Sequence, residues 1–224
     1  MCGSNILGVT AKMKSLILAP HVDDEVLGCG GILDKHCFVY YCGVDESEWN
    51  RKNRIVDRKH RPPVSQRIIE LRKTAKLLGF RYEYNLNTVV NTYAVHDFIN
   101  IFERLINKQK PDKMYIPSPT GYNQDHKAVF DAAFIALRPH DKNYFVKKVL
   151  IYENICDVTW STKYLNLNYF VPIDVNRKIA AYRLQKSQVR AHRSPEMIHR
   201  IAKLRGDMSN CKYAEAFQIL RWID

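Results

Sequence analysis

The strongest constraint on this chain is a rhythm. Short apolar runs alternate with longer stretches of helical spacing. LILAP (16–20), CFVYYCG (37–43), RYEYNL (81–86), KMYIPS (113–118) and KKVLIYE (147–153) are the apolar runs. Runs this short, bounded by turn-forming residues, read as buried strands. Between them lie a short helix to about Lys35, a helix from Val64 to Leu78 closing on Gly79, one over roughly 94–108, and one from after Asn123 to Leu137, stopped by Arg138-Pro139. Strands alternating with helices make βαβ units and a parallel sheet.

The fold class that follows is α/β: a Rossmann-like, mostly parallel sheet flanked by helices. YFVPID (169–174) reads as a sixth strand, at an edge because Pro172 cannot donate to a ladder. The remainder reads as a helical C-terminal region, with helices near 174–190, 195–205 and 213–222. Residues 1–13 read as an N-terminal appendage and 14–224 as a single domain. The stretch 45–63 reads as a polar loop.

With 46% apolar and 26% charged residues among 224, the chain can bury a core without staples. Its 6 cysteines form no C-x-x-C pair, and so long a chain does not need a disulfide framework. They read as reduced thiols, which points to a cytoplasmic protein. No apolar run is long enough to span a membrane. The formal net charge of +12 suits an anionic partner, or serves solubility alone. Part of it is concentrated in 51–61, where Arg51, Lys52, Arg54, Arg58, Lys59 and Arg61 face one acid, Asp57.

Ligands of open α/β sheets bind beyond the carboxyl ends of the strands. Two such ends carry chemistry. After the first strand comes Pro20-His21-Val22-Asp23-Asp24-Glu25, then Gly28, Gly30 and Gly31. His nitrogen and carboxylate oxygen are zinc ligands, and a tight turn can aim His21 and Asp24 at one ion. Helix capping explains one acid here, but not three beside a histidine. The glycines lack the G-x-G-x-x-G spacing of a dinucleotide loop. After the fourth strand comes Gly121-Tyr122-Asn123-Gln124-Asp125-His126. His126 is a third ligand or a surface residue; Asp125 orients His126 or is a helix N-terminal acid. Three protein ligands would leave one position of a zinc ion open, the mark of a catalytic site.

At these residues the chain resembles the PIG-L/LmbE-type zinc N-deacetylases. Their first motif, of His-Pro-Asp-Asp-Glu type followed by glycines, stands here as His21-Val22-Asp23-Asp24-Glu25 and Leu27-Gly28-Cys29-Gly30-Gly31. Their second, ending in Asp-His before a helix, stands as Asn123-Gln124-Asp125-His126. Arg67, Glu70, Ala75 and Gly79 resemble the helix between the motifs. Arg193-Ser194-Pro195, Arg205-Gly206 and Tyr213 to Phe217 resemble the C-terminal part of bacterial members.

The resemblance implies zinc held by His21, Asp24 and His126, with Asp23 as general base and Asp125 behind the ligands. It also implies substrate contacts from Arg67 and Glu25. Val22 replaces the usual proline. Asn123 replaces a histidine found in many members; it can donate to an oxyanion but cannot supply a proton. Asp23 would then serve as base and afterwards as acid. The implied partner is an N-acetylated sugar of N-acetylglucosamine type, phosphorylated or otherwise anionic if the basic segment takes part. A homo-oligomer is left open. Two other readings compete. One is a metal-dependent phosphoesterase, for which Glu25 and Asp45 are the extra acids. The other is nucleic-acid binding through 51–61, although no nucleic-acid fold signature is present.

Overall fold

The structure, a computed structural model, describes residues 14–46 and 63–224. The appendage 1–13 and the basic segment 51–61 therefore lie outside the described residues. The strands are β1 (Ser15–Ala19), β2 (Cys37–Tyr41), β3 (Asp45–Glu46), β4 (Arg81–Tyr84), β5 (Val89–Val90), β6 (Lys113–Pro117), β7 (Lys148–Tyr152), β8 (Tyr169–Pro172) and β9 (Ala214–Trp222). The helices are α1 (Asp24–Cys29), α2 (Val64–Leu78), α3 (Val95–Gln109), α4 (Gln124–Ala136), α5 (Ile155–Trp160), α6 (Val175–Arg183) and α7 (Pro195–Met208).

Seven strands form one sheet in the order β4-β2-β1-β6-β7-β9-β8. The first five are parallel, as the alternation requires. β9 runs antiparallel to both β7 and β8. β3 and β5 form a separate parallel pair.

Both sheet faces are covered, so the central strands are apolar throughout. On one face Ile17, Val39, Tyr41, Leu150 and Tyr152 pack with Leu71, Ala75, Tyr182 and Ile198 of α2, α6 and α7. On the other, Leu16, Leu18, Tyr40, Ile116 and Ile151 pack with Phe98, Phe102, Val129 and Ala133 of α3 and α4. Successive residues of a strand point to opposite faces. α1 seats so closely on β7 that a Cβ on Gly28 would stand 2.2 Å from the Tyr152 ring. That contact explains part of the glycine-rich stretch.

Two sequence expectations are corrected. The segment 213–222 is the strand β9, not a helix. Its Ala, Glu, Gln and Leu residues are good helix formers, but tertiary context overrides propensity, and a ladder on each side outweighs them. The helix over 174–190 is shorter, ending at Arg183, after which the chain runs irregularly toward the site. The edge strand at 169–172 is as expected. Cys29, Cys42, Cys156 and Cys211 carry free thiols. No helix of the described residues is long and apolar enough to cross a membrane.

Candidate metal centre and its cleft

β1 and β6 are adjacent at the middle of the sheet, with β2 and β4 to one side and β7 to the other. The chain leaving β1 and the chain leaving β6 therefore diverge, and a crevice opens beyond their carboxyl ends. His21, Asp23 and Asp24 follow β1. Asn123, Asp125 and His126 start α4, after β6. Asn154 follows β7. All three strand ends supply side chains to one place.

His21, Asp24 and His126 each offer one ligand atom, and these atoms lie within 4.8 Å of one another. His21 Nδ1 is 3.3 Å and His126 Nε2 is 3.2 Å from the same oxygen, Asp24 Oδ2. The other oxygen, Oδ1, accepts from Asn154 Nδ2 at 2.6 Å, and the His21 amide donates to Oδ2 at 2.9 Å. Asn154 thus fixes the carboxylate plane and leaves Oδ2 facing both imidazoles.

Asp125 stands behind His21, not behind His126. Its Oδ2 accepts from His21 Nε2 at 2.8 Å and from the Asn91 amide at 2.6 Å, while Oδ1 accepts from the Tyr93 amide at 3.2 Å. The reason is helical geometry. Consecutive residues project about 100° apart around the axis. Asp125 therefore turns toward β1 while His126 turns toward Asp24. With Nε2 occupied, His21 presents Nδ1 to the cluster.

The charges fit a cation. Burial would lower the His21 pKa, but hydrogen bonds to Asp125 and Asp24 outweigh it and carry it up to about 9. Burial would raise the Asp24 carboxyl, yet His126 and His21 hold it well below the usual carboxylate range. The cluster draws in positive charge, and its N, O, N donor set suits zinc.

Asp23 does not join the ligand atoms. Its backbone has φ 122°, a region that a side chain disfavours. Its amide donates to Glu25 Oε2 at 2.9 Å, and its carboxylate lies 2.8 Å from Arg193 Nη1. Burial raises the Asp23 pKa, and Arg193 opposes that rise more than any other neighbour. Strained residues held by their surroundings cluster at active sites.

Glu25 does not reach the cleft, contrary to the substrate contact expected of it. It is fully buried on α1, where Gln185 Nε2 donates to it at 2.6 Å. It holds the Asp23 backbone instead. Arg67, half-buried on α2, acts on Asp23 through its charge and is not part of the cleft wall.

Asn123 caps α4: its Oδ1 accepts from the Asp125 amide at 2.9 Å. The cap uses only the oxygen, and the residue lines the cleft. The cleft has a volume of about 370 Å³, within the usual range for small-molecule sites. Its outer wall carries Tyr122, Trp160, Arg190 and His192.

Sequence reasoning missed Asn154, Trp160, Arg190 and the role of Arg193. Asn154 carried a signal, since it stands directly beyond the strand at 147–153. Trp160 ends α5, and Arg190 and Arg193 bound one short 3-10 turn; only the folded structure brings them to the cleft.

The description of one family model, PIG-L (GlcNAc-PI de-N-acetylase), matches residues 16–137, more than half of the chain. The A40926 pseudoaglycone deacetylase Dbv21 superposes with a TM-score of 0.74 at 16% identity, covering 96% of this chain and 100% of its own. The N,N'-diacetylchitobiose deacetylase of Pyrococcus horikoshii superposes with 0.69 at 19% identity, covering 93% and 84%. GalB of Pseudomonas putida KT2440, a 4-carboxy-2-hydroxymuconate hydratase, superposes with 0.71 at 21% identity, covering 95% and 98%. At such identities these likenesses speak for the fold alone. A search of curated proteins finds no match. Both motifs, at residues 21–25 and 123–126, fall inside the matched segment, and the chain belongs to the PIG-L family.

Proposed function

We propose that this protein is a zinc-dependent N-deacetylase that hydrolyses the acetamide of an N-acetylated sugar of N-acetylglucosamine type. One observation carries the reading. A His-Asp-His cluster lies at the floor of a cleft, and a second aspartate stands beside it without joining it. The family description and the activities named for two similar structures support the same chemistry.

His21 Nδ1, Asp24 Oδ2 and His126 Nε2 would hold the metal. When bound, zinc would polarise the acetamide carbonyl and make a water acidic at neutral pH. Asp23 takes a proton from the attacking water, whose oxygen bonds to the acetamide carbon. The carbon–nitrogen bond then breaks, and Asp23 returns the proton to the leaving amine. Acetate and the amino sugar are the products.

Arg193 favours the ionised form of Asp23 before the reaction. The Asn123 amide nitrogen, left free by the cap, donates to the oxyanion. Asp125 fixes the His21 tautomer and Asn154 fixes Asp24.

The fold also serves a hydratase, so the assay must read acetate itself. The protein is incubated with a panel of N-acetylated sugars, after chelation and after zinc is restored. Acetate release that chelator abolishes and zinc recovers is expected. Full release from verified metal-free protein sinks the zinc reading; no release from any sugar with zinc bound sinks the deacetylase reading.

A further inference from the structure

We infer that the outer cleft wall is a subsite for an anionic group, phosphate or carboxylate, attached to the substrate sugar, and that Arg190 is its specificity-determining residue. The inference rests on the deacetylase reading for the sugar, but not for the anion.

The two inner aspartates of the cleft already have basic partners. Asp24 meets both imidazoles, and Asp23 meets Arg193 at 2.8 Å. The Asp157 carboxylate accepts from the Asn154 amide at 3.3 Å, closing a capping box on α5.

Arg190 differs from all of these. Its Nη1 donates to the carbonyls of Ser187 at 2.9 Å and Val189 at 3.2 Å, and no carboxylate pairs with it among the described residues. Two carbonyls fix the guanidinium but leave its charge uncompensated. Nε and Nη2 remain as donors, the fork that suits phosphate and carboxylate.

The mounting is rigid at its base. Glu70 on α2 accepts from both the amide, at 3.1 Å, and the hydroxyl of Ser187, whose carbonyl in turn holds Arg190. On the same cleft wall, Trp160 is 52% exposed and its ring lies tilted against His192, with centroids 4.6 Å apart. A half-exposed indole and a fixed cation lining one cleft suit a sugar carrying an anion. His192 reports the positive field: burial lowers its pKa, and Arg193 and Arg190 lower it further.

The test uses the zinc-loaded full chain. Titration calorimetry compares glucose 1-phosphate, glucose 6-phosphate, glucuronate and glucose, none of which has an acetamide to hydrolyse. Hydrogen bonds to charged groups are worth about 1.5–3 kcal/mol, or roughly 10- to 100-fold in affinity. At least one anionic sugar should bind tighter than glucose by such a factor. Arg190→Gln should bring that ratio close to one, and Arg190→Lys should restore part of it.

The same ratio should appear in KM when N-acetylglucosamine and its phosphates are deacetylated. Equal binding of all four sugars by the wild-type protein overturns the subsite. So does a ratio that survives Arg190→Gln in a variant with unchanged zinc content and melting temperature. Failure of deacetylation with the calorimetric ratio intact would remove the sugar chemistry and leave the anion subsite standing.

Discussion

The carboxylate of Asp125 accepts a hydrogen bond from His21 Nε2 at 2.8 Å, across 104 positions of sequence. One contact thus joins the chain beyond β1 to the first turn of α4 and decides which nitrogen His21 turns to the cluster. Loss of such an outer partner typically costs 10- to 100-fold in metal affinity. Asp125→Asn should weaken zinc by about that factor in competition with a chromophoric chelator. Unchanged affinity would mean that packing alone orients His21.

Asp23 should separate chemistry from metal binding. Asp23→Asn should keep zinc and lose turnover by about 10²–10⁴, more if the group also serves as acid. His21→Ala, Asp24→Ala and His126→Ala should each weaken zinc itself. Zinc lost from Asp23→Asn but kept in Asp24→Ala would exchange the two roles.

The backbone at Asp23 gives an independent test. A φ of 122° disfavours alanine and suits glycine. Asp23→Gly should therefore melt higher than Asp23→Ala, by an amount worth about 1 kcal/mol. The reverse order would mean that the turn relaxes once the carboxylate is gone.

Asn123 has two jobs that one substitution can divide. Asp caps a helix as well as Asn, so Asn123→Asp should fold and hold zinc normally. It also places negative charge where an oxyanion would form. Losing one such donor costs roughly 10²–10³ in kcat. That loss is expected for Asn123→Ala, and a greater one for Asn123→Asp. Near-normal turnover in Asn123→Asp would reduce the residue to a cap.

Glu25 supplies a pH dependence of stability. Burial pushes its pKa from 4.5 up to about 8, against hydrogen bonds from the Asp23 amide and Gln185 that lower it. The folded protein then keeps a proton that the unfolded chain has lost. Stability from this group is fullest below about pH 4.5, falls as pH rises toward 8 and levels off above it. Zinc-loaded wild type should lose melting temperature relative to Glu25→Gln between pH 5 and 8. A constant difference would show Glu25 ionised in the folded state.

Much of this was legible in the sequence, because local pattern and global fold agree through the first half of the chain. The apolar runs at 16–20 and 113–118 are strands covered on both faces, and period and punctuation suffice to find such strands. Their carboxyl ends then locate His21, Asp23, Asp24, Asn123, Asp125 and His126. Glu25 misled because an acid among acids reads as part of the site; only burial places it beneath Asp23. β9 misled because its second residue, Glu215, is a charge inside a strand. Lys178 Nζ and the Gly31 amide, both at 2.7 Å, donate to its Oε1, and neither lies near it in sequence. Arg190 and Arg193 belong to a single 3-10 turn, too short for any period to mark a direction.

The late position of β9 has a consequence for the order of assembly. Among the described residues β8 pairs only with β9, so a growing chain must make residues 214–222 before β8 gains this neighbour. Between β8 and β9 lie α6, α7 and the stretch bearing Arg190 and Arg193. His21, Asp24 and His126, the candidate metal ligands beyond the ends of β1 and β6, are made well before that. Vectorial synthesis would therefore supply the His-Asp-His cluster first and close the ends of the segment carrying Arg193 last. The candidate metal cluster and the arginine-bearing wall of its cleft are thus made at opposite ends of synthesis.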